Sequence, residues 1–208
     1  MGSTVGAAAV TSMIEDRVAH EACSRPAVAP YCERVRSVVG GERFDHIRRV
    51  AKLADEIAVA NGFTQPEREQ VALAAVLHDA ARDLPEEELL AMAPPTCDVE
   101  AEHPLALHGR VGRMLAESWG VHDPAVLEAI EGHVFGVPRY HRVGMAVYVA
   151  DVCEPGRGVN DDIRGLAMRD LEGAYRQAVR SKVTYLQRTG KAIHPRTLRA
   201  HEEIDDTP

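Results

Sequence analysis

Residues 43–62 read RFDHIRRVAKLADEIAVANG, and their pattern is helical. Ile47, Val50, Ala54, Ile57 and Ala58 recur at spacings of three and four, which places them on one face of an α-helix. Asn61-Gly62 then supplies a helix-ending signal, because glycine enters the left-handed conformation without steric cost. His46 shares the inward face with the aliphatic residues, which is an unusual place for an imidazole.

The same period extends outward on both sides. Thr64 and Glu67 make a capping box around Pro66, and Val71, Ala74, Ala75 and His78 define a second helix ending near Leu84-Pro85. A short acidic helix over 86–92 stops at Pro94-Pro95, and another runs from Pro104 through Leu107, Val111 and Leu115 to Gly120. Asp123-Pro124 begins a helix striped by Val126, Ala129, Ile130 and His133. After a loop at 136–139, RVGMAVYVADVC carries Val147, Tyr148 and Asp151 on one side, and the loop EPGRG follows. The spacing predicts one long final helix over 162–188, with a frayed polar tail beyond Thr197.

Hydrophobic residues make up 45% of the 208, whereas aromatics make up only 4%. That balance favours close-packed helices over a sheet built from bulky residues, so the expectation is an all-α, single-domain helical bundle over 31–197. Residues 1–30 hold no sustained period and are expected to be a mobile N-terminal segment, and 198–208 a polar tail.

A net charge of -8 argues against a nucleic-acid partner, which calls for a basic surface. A small anionic substrate remains compatible, because a metal site supplies its own positive charge. No segment approaches the ~20 apolar residues of a membrane span, and the start lacks a charged region before an apolar run, so the cytoplasm is the expected location. Cys23, Cys32, Cys97 and Cys153 form no CxxC pair and read as reduced thiols, with Cys153 a small buried hydrophobe.

His46, His78, His133 and Asp151 all fall on inward faces. Burying an unpaired imidazole or carboxylate costs several kcal/mol, so a group of them in one small core must pair, bind metal, or both. With ten histidines in the chain, the dipeptide His78-Asp79 is uninformative alone. The order is more specific: His46 on one helix, His78-Asp79 at the end of the next, His108 and His133 on two more, and Asp151 last.

That order resembles the HD superfamily of metal-dependent phosphohydrolases, helical-bundle proteins, over about residues 43–195. Within it, RFDHIRRVAKLA, LAAVLHDAARDL, LALHGRVGRML, AIEGHVFG, YVADVCEPGRG and IHPRTL resemble the YqeK-type symmetrical bis(5′-nucleosyl)-tetraphosphatases, which split diadenosine tetraphosphate (Ap4A) into two ADP. One departure stands out: relatives carry a threonine after the histidine, where this chain reads His133-Val134-Phe135-Gly136.

The resemblance implies that His46, His78, Asp79 and Asp151 hold one metal and that a bridging Asp79 with His108 and His133 serves a second. Neutral imidazoles with carboxylates suit Fe, Mn, Co, Ni or Zn, and of these the resemblance implies iron first. Asp79, His108 and His133 would support catalysis by metal-activated water, with no protein nucleophile. The substrate would be a nucleotide polyphosphate, contacted by Arg157 and, more weakly, by Arg82, Arg139 or His141. A homodimer is left open. Rival readings are an HD phosphatase for nucleoside mono- or triphosphates, a di-iron oxygenase with a similar cage, and a non-catalytic nucleotide-binding module.

Overall fold

A computed structural model describes residues 22–205. In chain order the helices are α1 (Ala29–Val38), α2 (Gly41–Ala60), α3 (Gln65–Leu77), α4 (Glu86–Met92), α5 (Asp98–Glu102), α6 (His108–Ser118), α7 (Pro124–Gly132), α8 (Arg142–Cys153), α9 (Asp161–Ala167), α10 (Leu171–Arg188) and α11 (Pro195–Asp205). Short 3-10 turns at Pro104–Leu107 and Pro155–Arg157 precede α6 and follow α8. No strand occurs among the described residues, and the fold is all-α.

The bundle is organised around α8. Every residue from Val143 to Ala150 is buried, so this helix is covered on all sides rather than along one stripe. It packs against α2, α3, α7, α9 and α10. On α2 the buried face comprises Ile47, Val50, Ala51, Leu53, Ala54, Ile57 and Ala58, with His46 at its N-terminal end. The many alanines allow helices to approach closely, while each buried Val, Leu or Ile contributes about 1.5–3 kcal/mol. A smaller cluster of Ala81, Leu89, Ala93, Leu107 and Val111 fastens α4 to α6.

Several sequence signals operate as read. Thr64 and Glu67 form the capping box of α3, Asp123 caps α7 by accepting from Ala125 and Val126 N–H, and Gly62 takes a φ of +68° after α2.

Other expectations need correction. The second helix stops at Leu77 rather than near Leu84, and residues 78–83 continue as tight turns with bonds such as Ala80 N–H to Leu77 O, 3.1 Å, and Arg82 N–H to Asp79 O, 3.0 Å. The long final helix is broken between Ala167 and Leu171. There the Asn61 amide donates to Ala167 O at 2.8 Å and accepts from Leu171 N–H at 3.1 Å, ending one helix and starting the next. The tail is not frayed over 195–205: α11 buries Thr197, Ala200 and Ile204, a narrow stripe hidden by the polar residues between them.

Most of the N-terminal segment lies outside the described residues; within 22–30, Ala22 and Val28 are buried, whereas Ser24, Pro26, Ala27 and Pro30 are exposed. The reading of four reduced thiols is overturned for two of them. Cys23 and Cys32 form a disulfide, because the turn between them returns the chain to a Cα separation of 5.7 Å. Cys97 and Cys153 are free. Cys153 is fully buried, burial pushes its thiol up to about 12, and its Sγ–H donates to Val149 O.

Candidate metal centre

The turn that ends α3 allows two adjacent residues, His78 and Asp79, to face one point. His46 reaches it from α2, Asp151 from the last turn of α8, His108 from the start of α6 and His133 from the end of α7. Ligand atoms of His46, His78 and Asp79 lie within 4.8 Å of one another, as do those of His78, His133 and Asp151, and those of Asp79, His108 and His133.

Asp79 divides its two oxygens between the two halves of this cluster. Oδ2 lies 3.7 Å from His46 Nε2 and 3.6 Å from His78 Nε2, and Oδ1 lies 3.4 Å from the Nε2 atoms of both His108 and His133. Asp151 Oδ1 approaches His46 Nε2 at 3.1 Å and His78 Nε2 at 3.9 Å.

The protons on the imidazoles follow from their outer partners. Nδ1 of His78 donates to Ala75 O at 2.7 Å, that of His108 to Leu105 O at 2.6 Å, and that of His133 to Ile130 O at 2.6 Å. A carbonyl only accepts, so each Nδ1 carries the hydrogen and each neutral ring presents a lone pair at Nε2. His46 follows the same rule through a carboxylate: its Nδ1 lies 3.1 Å from Glu154 Oε1.

Two consequences test the fit to a metal. Nε2 of His46 and of His78 is buried with no partner in hydrogen-bonding alignment, although carboxylates are near. Nε2 of His108 and His133 converge at 3.0 Å, two lone pairs that repel unless a cation lies between or beside them. Four imidazole nitrogens and two carboxylates aimed at one small volume fit a borderline-hard transition-metal ion.

The electrostatics agree. Burial lowers the pKa of His78 to about 4 and also lowers that of His108, keeping both neutral. Burial works against charge on His46 too, but Asp151, Glu154 and Asp79 outweigh it and raise its pKa. Burial would raise the two carboxyls, yet His78, His108 and His133 hold Asp79 well below its ordinary range, and His46, His78 and Arg157 depress Asp151. Both are carboxylates at neutral pH.

Cations frame the cluster. Arg43 pairs with Asp79 Oδ2 at 2.8 Å, and the Arg157 guanidinium donates to the backbone carbonyl and the carboxylate of Asp151. Arg49 donates to Glu154 Oε2 at 2.7 Å. A cavity of about 450 Å³ opens here, lined by Glu42, Arg43, Asp45, His46, Arg49, Glu154 and Arg157. Lys182 of α10 donates to Val134 O, and burial lowers its pKa to about 8.

Of the weaker sequence candidates, Arg139 pairs with Glu172 at 2.6 Å, and His141 caps α8 by accepting from Gly144 N–H at 2.8 Å through Nδ1, with its Nε2 3.4 Å from Glu128. Arg82 is half-buried on the turn after Asp79. Sequence reading assigned nothing to Arg43, Arg49, Glu154 or Lys182. Glu154 carried a usable signal, an acidic residue three positions after Asp151 in a chain that already offers a histidine needing an outer partner. His194, also given no role, is buried, 3.3 Å from Glu100 Oε1 and stacked on Phe135 with ring centroids 3.6 Å apart.

Fold and site together define a helical protein of the histidine–aspartate metal-binding class. The family model described as HD domain matches residues 43–156, and the chain belongs to this family. The symmetrical bis(5'-nucleosyl)-tetraphosphatase of Bacillus subtilis is 31% identical over 171 residues, covering 79% of this chain and 90% of its own length. A protein of the same name from Halalkalibacterium halodurans is 28% identical over 169 residues, covering 78% and 88%. The probable nicotinate-nucleotide adenylyltransferase/Ap4A hydrolase of Mycoplasma genitalium is 31% identical over 152 residues, which is 68% of this chain but 42% of that longer protein. A crystal structure from Clostridium acetobutylicum, described as a predicted HD superfamily hydrolase involved in NAD metabolism, superposes with a TM-score of 0.77 at 26% identity, covering 85% of this chain and 96% of that one. The chain is an HD-domain phosphohydrolase.

Proposed function

We propose that the protein hydrolyses dinucleoside tetraphosphates, with Ap4A split into two ADP. The observation that carries the chemistry is the convergence of imidazole lone pairs on Asp79, whose two oxygens serve both halves of the cluster. The tetraphosphate itself is supported by relatives named for that activity.

In this reading His46, His78, Asp79 and Asp151 hold one ion, and Asp79, His108 and His133 hold a second; the ligand set suits Fe, Mn, Co, Ni or Zn, and the family resemblance makes iron the first choice. Such ions, when bound, lower the pKa of water and neutralise charge on phosphoryl oxygens. The chain supplies the rest. Arg43, Arg49 and Arg157 line a cleft that ends at His46 and give a polyphosphate its countercharge. Glu154 and the three backbone carbonyls orient the imidazoles. With no membrane-length apolar helix among the described residues, a cytoplasmic site of action is part of the same proposal.

Purified protein loaded with Fe(II) or Mn(II) and incubated with Ap4A should yield ADP alone on anion-exchange chromatography. AMP plus ATP, or no turnover, rejects the tetraphosphate reading. Inorganic phosphate or triphosphate released from nucleotide substrates would favour the phosphatase alternative, and strict dependence on dioxygen would favour an oxygenase.

A further inference from the structure

We propose that Lys182 and Tyr148 together form a phosphate-binding pair beside the metal centre, separate from the arginine cleft. The inference rests on the reading that a phosphorylated nucleotide is the substrate, but not on the tetraphosphate in particular.

Lys182 projects from α10 and gives one N–H to the carbonyl of Val134, the residue after His133. Its ammonium sits 5.7 Å from the centre of the Tyr148 ring and feels the charge of Asp151. No carboxylate lies within ion-pair distance among the described residues, and apart from the face of the Tyr148 ring its other two donors meet no oxygen or nitrogen acceptor there. Tyr148 lies three residues before Asp151 on α8, is 1% exposed, and its hydroxyl has no hydrogen-bond partner among the described residues.

A partly desolvated ammonium and a buried orphan hydroxyl are each costly; the ammonium bonds the carbonyl of the residue after His133, and the hydroxyl belongs to a residue three positions before Asp151 on α8. A helix C-terminal contact accounts for the bond to Val134 O. It does not account for the remaining ammonium donors, the hydroxyl, or their common proximity to Asp151. A phosphate oxygen accepting from both groups satisfies all of them with charge-assisted hydrogen bonds. In this chain Val134 and Phe135 offer no hydroxyl beside His133, and the lysine brings a donor to that same carbonyl.

The test uses full-length Mn(II)-loaded protein with inorganic phosphate and ADP as probes, measured by calorimetry and by the thermal shift each produces. Lys182→Met should weaken phosphate binding roughly tenfold, and Lys182→Arg should restore most of it, at unchanged metal content and helicity. Tyr148→Phe should leave unliganded stability equal or higher, because the orphan hydroxyl is gone, while shrinking the phosphate-induced thermal shift. Wild-type phosphate affinity in folded Lys182→Met overturns the proposal, as does equal weakening by Met and Arg. If Lys182→Met does not fold, Tyr148→Phe decides, and an unchanged phosphate affinity in that variant overturns the pairing. Ap4A turnover plays no part in these readouts, so this proposal and the tetraphosphate reading fail separately.

Discussion

Glu154 Oε1 lies 3.1 Å from Nδ1 of His46, across 108 positions of sequence, and its other oxygen accepts from Arg49 at 2.7 Å and from the Gly156 N–H. A buried carboxylate that holds an imidazole fixes both its tautomer and its ring orientation, and here that imidazole belongs to the proposed metal centre. Glu154→Gln should therefore weaken metal binding by about 10- to 100-fold with little loss of helicity. Metal titration at constant pH checks this; an affinity within threefold or so of wild type would show that His46 needs no such support.

Asp79 is the group shared by both halves of the cluster, whereas His108 belongs to one. Asp79→Ala should strip the protein of metal and activity, as should His78→Ala, while the helical core persists. His108→Ala should retain the ion held by His46, His78 and Asp151 yet lose activity by about a hundredfold or more. Metal analysis of the purified variants, read beside turnover, separates these outcomes. Equal metal loss in His108→Ala and Asp79→Ala would contradict a bridging carboxylate.

Much of this architecture was legible because its signals are local. The stripe on α2, the capping box of Thr64 and the Asp123-Pro124 start all depend on residues within one or two turns. What escaped depends on partners far along the chain. Asn61 breaks the helix after Ala167 from more than a hundred residues away, and Cys23 reads as a free thiol until the turn at 24–31 is known. For the site, polar residues placed on apolar stripes stand out, as His46 and His133 do. Arg43, Glu154 and Lys182 occupy ordinary polar positions, and only the packing of α2, α8 and α10 reveals what they face.

Asp55 joins α2 to both the start of α3 and the segment before α1. Arg68 donates to it twice, at 3.0 and 2.9 Å, and Arg25 pairs with it at 2.8 Å. Burial opposes its charge, but these guanidinium contacts prevail and hold its pKa below the ordinary 3.8. Since the folded value is the lower one, the unfolded chain takes up the proton first, and the contribution to stability is lost as pH falls through the folded value. Asp55→Asn should cost about 1–2 kcal/mol at pH 7 and progressively less below pH 4 or so. Denaturant titrations of both proteins at several pH values check the sign; a difference that grows on acidification would refute it.

Gly109 lies one residue after His108, where α6 crosses α7. A Cβ at this position would sit 2.8 Å from Glu131 O, 2.8 Å from a methyl of Val134 and 3.4 Å from Ile130 O. Two of those neighbours are backbone atoms of the helix end that carries His133, so relief requires α6 and α7 to separate. The bare Cα is thus what allows the two Nε2 atoms to approach to 3.0 Å. Gly109→Ala should destabilise the protein by about 1–3 kcal/mol, as overpacking does, even though alanine favours helix intrinsically. Because the displacement is aimed at the His108–His133 pair, the two-ion proposal predicts that the variant also loses affinity for the ion assigned to that pair while keeping the one assigned to His46, His78 and Asp151. Thermal unfolding combined with metal stoichiometry tests both parts, and a Gly109→Ala protein as stable as wild type would show that the helices yield without strain.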